Sequence, residues 1–436
     1  MGQQTGFRWY GSAVNYQTRL VDQQLDLLLD ALPAIALEGA KGVGKTATGR
    51  KRAATYFSLD DSATAQIVAG NAREVFSTDR PVFIDEWQMV PSVWNTVRHA
   101  VDDGAVPGSF LLAGSANPRP EARVHSGAGR IVRLIMRPLS LPERQIESPT
   151  VSLGELLTGE LDVVTGTTEV GLNQYLHEIL ISGFPGIRSQ PEIGIPFLVS
   201  SYIDRIIDHD IEKMGVTVRR PVALRHWLDS YAAATGTTAS YAAILAAATP
   251  GDSVKPNKAT ATSYRNLLER LFILDPLPAW LPTAAHLKRL GQSPKHHLVD
   301  PSLATHLSGL SGADLIQGVG PKFYEREGPF LGSLFESLAA QTVRILAQGH
   351  RANTLHFRVQ GGEREVDLIV ERPDKKVVAI EVKLSDSVRP SDVASLNWLE
   401  ENANALVLDK VLLNTGRRAY RRPDGVAVIP LALLGP

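Results

Sequence analysis

The sequence predicts an α/β protein in three parts: a parallel sheet covered by helices, a mostly helical middle, and a second α/β unit at the end. Three observations predict it. A glycine-rich octet follows a short apolar run and opens a helical stretch; strand-like runs alternate with helical ones up to about residue 145; and a helix-then-strands pattern starts afresh after Lys322.

From Leu20 the apolar positions Leu20, Val21, Leu25, Leu28, Leu29 and Leu32 recur at helical spacing, and Pro33 closes that helix before the buried-strand run 34–37. A helix is expected at 47–55, and further strands at 55–59, 81–84, 109–113 and 130–135. Strands alternating with helices imply a parallel sheet with both faces covered. Beyond Pro138 and Pro142 the strand signal fades into a region rich in Ala and Leu, broken by Pro250-Gly251 and by the prolines of 276–282. The final unit reads as a helix at 332–348, strands at 355–359, 365–371 and 377–384, a helix at 391–402, and strands at 411–414 and 426–431. The expected domains are 1–145, 146–292 and 293–436.

A chain of 436 residues with 44% hydrophobic and 21% charged residues has enough apolar side chain for several cores, which excludes a single small module and wholesale disorder. Lys plus Arg at 45 against Asp plus Glu at 46 gives a net charge of −1, so any nucleic-acid surface must be local. The absence of cysteine excludes disulfides, thiolate zinc sites, iron–sulfur clusters and a cysteine nucleophile, and suits a reducing cytoplasm. Met1 to Tyr10 lacks a signal-peptide core and no run reaches the length of a membrane span, so no membrane partner is expected.

Gly39-Ala40-Lys41-Gly42-Val43-Gly44-Lys45-Thr46 fits G-x-x-x-x-G-K-[ST] at every fixed position, between strand and helix. Glycines let the backbone turn its N–H groups toward phosphate oxygens, and the following helix adds its positive end. Lys45 would bridge the β- and γ-phosphates of ATP, and Thr46 would ligate Mg²⁺. Val82-Phe83-Ile84 then ends in Asp85-Glu86, carboxylates at the carboxyl end of a parallel strand. Asp85 is placed for the Mg²⁺ shell and Glu86 as the general base toward water. After the next strand, Ser115 or Asn117 could touch the γ-phosphate or its water; an ordinary Gly-Ser turn is the alternative. Arg130, after the glycine-flexible Gly127-Ala128-Gly129, could stabilise phosphoryl charge in cis or across the boundary of a homo-oligomer, with Arg133 and Arg137 as competitors and a solvated arginine as the plain reading.

The octet, Val82 to Gln88, Leu112 to Ser115, Gly129-Arg130 and Arg137-Pro138-Leu139-Ser140 resemble the prokaryotic AAA-type ATPase family whose chains carry a C-terminal DUF4143 region. Gly183-Phe184-Pro185, Tyr202 to Asp210 and His297 to Pro301 extend the resemblance over most of the chain. It implies an AAA-like five-stranded sheet, ATP and Mg²⁺. Lys41 departs from the arginine usual there, which keeps the charge and loses bidentate phosphate contact.

In the middle region, a helix at 238–247, a turn at 250–256 and a helix at 259–271 followed by an apolar and proline-rich segment resemble a winged helix-turn-helix. Lys255, Lys258, Thr260, Thr262, Ser263, Tyr264 and Arg265 are then the candidates to meet DNA; an inter-domain spacer is the alternative. His296 and His297 point to opposite strand faces and lack an acidic partner at ligand spacing, so structural or surface roles are expected. Asp300-Pro301 reads as a helix cap.

Near the C terminus, Asp367 lies on one strand, while Glu381 and Lys383 share a face of the next. Adjacent strands can bring them together so that Asp367 and Glu381 hold a divalent metal and Lys383 orients water or steadies a pentavalent phosphate, with Glu336 as a third acidic ligand. Helix, three strands, helix and strand with Asp followed by Glu-x-Lys resembles the PD-(D/E)xK restriction-endonuclease-like fold, although Val366 stands where a proline is usual. The expected function is therefore a Mg²⁺-dependent P-loop ATPase whose nucleotide state controls a nuclease-like unit acting on DNA. The alternative is an ATP-gated protein-interaction or DNA-binding scaffold with an inactive nuclease-like unit.

Overall fold

The computed structural model describes residues 16–115, 127–213, 221–248, 258–282, 292–321, 329–359, 363–403 and 406–436. Asn117, Lys255 and the expected turn at 250–256 lie outside the described residues.

The first unit opens with α1 (Leu20–Ala31), whose Val21, Leu25 and Leu29 fall on one buried stripe and whose first turn is capped by Asp22 accepting from the Arg19 N–H at 2.8 Å. It continues through β1 (Ala34–Glu38), α2 (Lys45–Arg50), β2 (Thr55–Ser58), α3 (Ser62–Val75), β3 (Val82–Asp85), α4 (Ser92–Asp102), β4 (Phe110–Gly114) and β5 (Val132–Ile135). The strands pair in parallel in the order β2-β3-β4-β1-β5. β1, β3 and β4 are buried along their whole length, which is why they read as continuous apolar runs. Ile35 and Leu37 face one core while Ala34 and Ala36 face the other, as the period of two requires.

Two boundaries differ from expectation. α2 ends at Arg50 rather than running to 55, because the chain must turn back through Ala54 to pair β2 with β3. Gly49 sits where a Cβ would lie 2.4 Å from the Phe83 ring, so its lack of a side chain lets α2 press on β3. β5 starts at Val132, and as an edge strand it leaves Val132 and Arg133 exposed.

The last unit holds a long helix, Phe330–Gly349, and a mixed sheet. Strands Asn353–Arg358, Glu365–Glu371 and Val377–Val382 are antiparallel neighbours, and Val377–Val382 then pairs in parallel with Val407–Asn414. Segments expected in the middle region pair with strands of this unit, one within the mixed sheet and one in a separate two-stranded sheet. Gly166–Thr167 pairs with Arg418–Arg421, and Val151–Ser152 with Leu434–Gly435. One hydrophobic core runs from Val21 to Leu434 through all three parts, so the middle region is welded to both ends.

The middle region contains helices Tyr241–Ala247, capped by the Ser240 hydroxyl, and Lys258–Arg270. Tyr264, a candidate to meet DNA, is buried against Trp227, and Arg265 lies over the Tyr241 ring, so the expected DNA face is turned partly inward. Asp300 does cap the helix Pro301–Leu307, accepting from the Ser302 N–H at 3.0 Å.

Candidate functional site

The carboxyl ends of β1, β3 and β4 converge because the strands are parallel and in register, with Glu38 opposite Gly114 and Asp85 opposite Ala113. The octet Gly39 to Thr46 begins there. Gly39 has φ +153°, and a Cβ on it would stand 2.0 Å from the Met136 carbonyl oxygen; Gly42 and Gly44 also have positive φ. Gly39→Ala should therefore displace the loop or β5, with a loss of about 1–3 kcal/mol; an unchanged urea midpoint would contradict this placement.

Ala40 and Val43 are buried and anchor the loop beneath its exposed crest. Lys45, only 5% exposed, donates to the carbonyls of Gly39 and Ala40, each at 2.8 Å. Burial pushes its ammonium down to about 8, against the pull of Glu86 and Asp85 in the other direction. The Thr46 hydroxyl donates to Asp85 Oδ2 at 2.7 Å, joining the start of α2 to the end of β3. Burial and the neighbouring Glu86 raise the Asp85 carboxyl above its ordinary range, although the Thr46 bond opposes this. A hydroxyl and a carboxylate brought together in this way are hard oxygen donors that fit Mg²⁺.

Glu86 takes a left-handed backbone, φ 52°, which turns its side chain out of the strand line. Its Oε2 accepts from the Ser115 hydroxyl at 3.2 Å and from the Gln88 amide, and Gln88 also reaches Ser115 at 3.3 Å. β4 lies between β3 and β1, so Ser115 at its end stands between the octet and Asp85-Glu86.

Arg130 is not brought to this site. It precedes β5, the strand beside β1, and so lies at the amino end of the parallel sheet while the octet leaves the carboxyl end of β1; there it pairs with Asp102 at 2.8 Å. A role toward its own octet is corrected by this placement. Arg137 is held by Asp275 at 2.7 Å, and Arg133 by Glu38 at 2.9 Å. Lys41 reaches Asp210 at 3.2 Å, and its carbonyl accepts from the Tyr202 hydroxyl at 3.0 Å, so the middle region touches the crest of the loop.

Sequence reasoning missed Arg19 and Gln88. Arg19, 5% exposed, donates to the Val43 carbonyl at 2.8 Å and the Arg137 carbonyl at 2.7 Å, and pairs with Glu143 at 2.9 Å. It pins the octet to the segment after β5, yet in sequence it is one arginine before an amphipathic run. Gln88 had a faint signal, standing two residues after Glu86.

At the C-terminal end the structure brings Glu336, Asp367, Glu381 and Lys383 together, but with a cation already among them. Lys295 Nζ lies 2.8 Å from Glu336, 2.9 Å from Glu365 and 2.8 Å from Asp367. Lys383 Nζ lies 2.6 Å from Glu381 Oε1. Burial alone would raise Asp367, but Lys295 and Lys383 override it and hold it low, while burial and Asp367 push Glu381 up. Among the described residues no group of three His, Cys, Asp or Glu side chains is arranged to hold a metal ion. The two carboxylates of the expected metal site, Asp367 and Glu381, are therefore each engaged by a lysine ammonium, Lys295 and Lys383 respectively.

Comparison with known proteins finds an AAA domain over residues 32–145, a domain of unknown function, DUF8612, over 172–314, and a domain of unknown function, DUF4143, over 331–434. Uncharacterized proteins of Mycobacterium tuberculosis and Mycobacterium bovis are each 22% identical over 351 residues, 79% of this chain and 68% of theirs. A Walker-type ATPase of Pyrococcus abyssi aligns in structure at 14% identity over 66% of this chain and 94% of that one, with a TM-score of 0.37. The FIGL-1 AAA domain in complex with ADP aligns at 16% identity over 58% and 85%, with a TM-score of 0.24. Among the described residues no helix is long and apolar enough to cross a membrane.

Proposed function

We propose that this chain, which carries an AAA domain and a DUF4143 region, binds and hydrolyses ATP at the octet and passes the nucleotide state to the units downstream. The observation that carries the reading is the Thr46–Asp85 bond at 2.7 Å, with Glu86 and Ser115 beside it. The ATPase unit is 1–145, followed by a linking region to about 292 and the C-terminal unit.

On binding, the Lys45 ammonium exchanges the carbonyls of Gly39 and Ala40 for β- and γ-phosphate oxygens. Loop N–H groups and the start of α2 take the remaining phosphate charge. Mg²⁺ held by Thr46 and Asp85 would supply Lewis-acid charge at the phosphates. Glu86, oriented by Ser115 and Gln88, takes the proton of the attacking water. Arg130, remote from its own loop and paired with Asp102, would act on phosphoryl charge only at the site of a neighbouring copy. The Lys41 contacts with Asp210 and Tyr202 supply the route by which occupancy of the loop reaches the middle region.

The test is phosphate release from Mg²⁺-ATP by the full chain. Glu86→Gln keeps nucleotide binding and loses turnover; retained turnover in that variant rejects the assignment of the base. A pH dependence follows from Lys45. Below about pH 7 the empty site already holds the ammonium, and binding takes up no proton. Above pH 8 the lysine is mostly neutral when empty and must be protonated by binding, so ATP affinity should fall by about tenfold per unit as pH rises from 8 toward 10. Affinity that stays flat from pH 7 to 9 contradicts this.

The C-terminal cluster favours the reading in which that unit is a non-cleaving partner of the ATPase rather than a metal nuclease, since its carboxylates already share an ammonium.

A further inference from the structure

The C-terminal carboxylate cage raises a question independent of whether ATP is hydrolysed: what occupies a site built for a cation. Four acidic side chains, Glu336, Glu365, Asp367 and Glu381, converge with two ammonium groups. Glu336 comes from the long helix, Glu365 and Asp367 from one strand, and Glu381 from the next. Asp367 is aimed by its second oxygen, which accepts from the Val382 N–H at 2.9 Å. Glu381 Oε2 is buried with no hydrogen-bond partner among the described residues.

Lys295 arrives from outside this α/β core. Its backbone exchanges hydrogen bonds with Leu277, at 2.9 and 2.8 Å, and the same ribbon continues to Pro278 and Trp280, which bond His356 on the edge strand Asn353–Arg358. The ribbon is thus stitched to the edge of the sheet, and from it Lys295, 1% exposed, enters the cage, with the buried His297 Nε2 3.9 Å from Glu336 beside it. An ammonium so deeply buried is tolerable only when opposite charges surround it. The three oxygens stand 2.8 to 2.9 Å from its nitrogen, the spacing of charge-assisted hydrogen bonds. Mg²⁺ or Mn²⁺ would need them roughly 0.7 Å closer, which the lysine prevents.

We infer that Lys295 is the resident cation of this cage, replacing a divalent metal and fastening the paired segments around Leu277 and Lys295 to the C-terminal sheet, and that the cage takes a divalent cation only when the lysine is removed. The C-terminal unit is then metal-free in the working protein, and its acidic set serves cohesion rather than hydrolysis of phosphodiesters.

The experiment is Mn²⁺ titration of the full chain without nucleotide, followed by electron paramagnetic resonance and calorimetry. Wild type and Asp367→Asn should bind the same number of Mn²⁺ ions, whereas Lys295→Ala should gain one ion per chain that Lys295→Ala/Asp367→Asn loses. A wild-type Mn²⁺ site abolished by Asp367→Asn overturns the inference, as does a folded Lys295→Ala that gains none. Should Lys295→Ala fail to fold, the first pair decides: equal Mn²⁺ binding supports the inference, and a deficit in Asp367→Asn refutes it.

Discussion

Lys45→Ala is expected to lower ATP turnover by about 10²–10³-fold, the size seen when one preorganised charge donor is removed from a reacting centre. The ammonium lies on the Gly39 and Ala40 carbonyls, whereas Lys41 turns outward to Asp210 and Arg19 is spent on the Val43 carbonyl and Glu143. Burial makes its charge costly in the empty site, so that cost is relieved when phosphate oxygens replace carbonyls around it. The loss should appear in both kcat and KM, because the same group holds phosphate before and during transfer. Because the loop is also shaped by Gly39, Ala40 and Val43 and pinned by Arg19, the variant should keep its fold. A circular dichroism spectrum and urea midpoint close to wild type would separate lost chemistry from lost structure, and turnover within threefold of wild type would refute the role.

The largest expected change in stability is at Arg144. Its side chain is 0% exposed and donates to the carbonyls of Leu139 and Glu178, to the Glu178 carboxylate and to the Gln341 side chain. Those partners come from the segment after β5, from the helix Leu172–Leu180 and from the long C-terminal helix, so one guanidinium joins all three parts. Arg144→Met leaves buried acceptors without donors and should cost about 3–5 kcal/mol. Arg188 offers an internal control. It also pairs with Glu178, at 2.7 Å, but its side chain is 18% exposed and water can replace it. Urea unfolding should therefore rank Arg144→Met well below Arg188→Met in stability; equal losses would show that the network is not the junction described here.

What could be read from the sequence was what is contiguous in it. The octet and Asp85-Glu86 were legible because their chemistry lies in a few neighbouring residues, and the central strands β1, β3 and β4 because each is a continuous buried run. The family resemblance implied a five-stranded sheet but no strand order; the observed order β2-β3-β4-β1-β5 explains why Ser115 meets Glu86. The C-terminal set was legible as residues and not as a site. Lys295 stands 72 residues from Asp367, in a proline-broken segment with no motif, and only the ribbon pairing with Leu277 carries it to the cage. Arg19 and Asp275 were hidden for the same reason, since their partners Glu143, Arg137 and Arg344 are distant in sequence. Whether Arg130 could serve its own loop stayed open in the sequence, because a glycine-flanked arginine gives no sign of which end of a sheet it occupies.

The central claim is that a triphosphate is held by the octet through Lys45. Titration of the full chain with ATP at saturating Mg²⁺ and pH 7, followed by calorimetry, should show saturable heat at one site per chain, with affinity sharply reduced in Lys45→Ala. No heat from the wild type, or the same heat and affinity in both proteins, would contradict it.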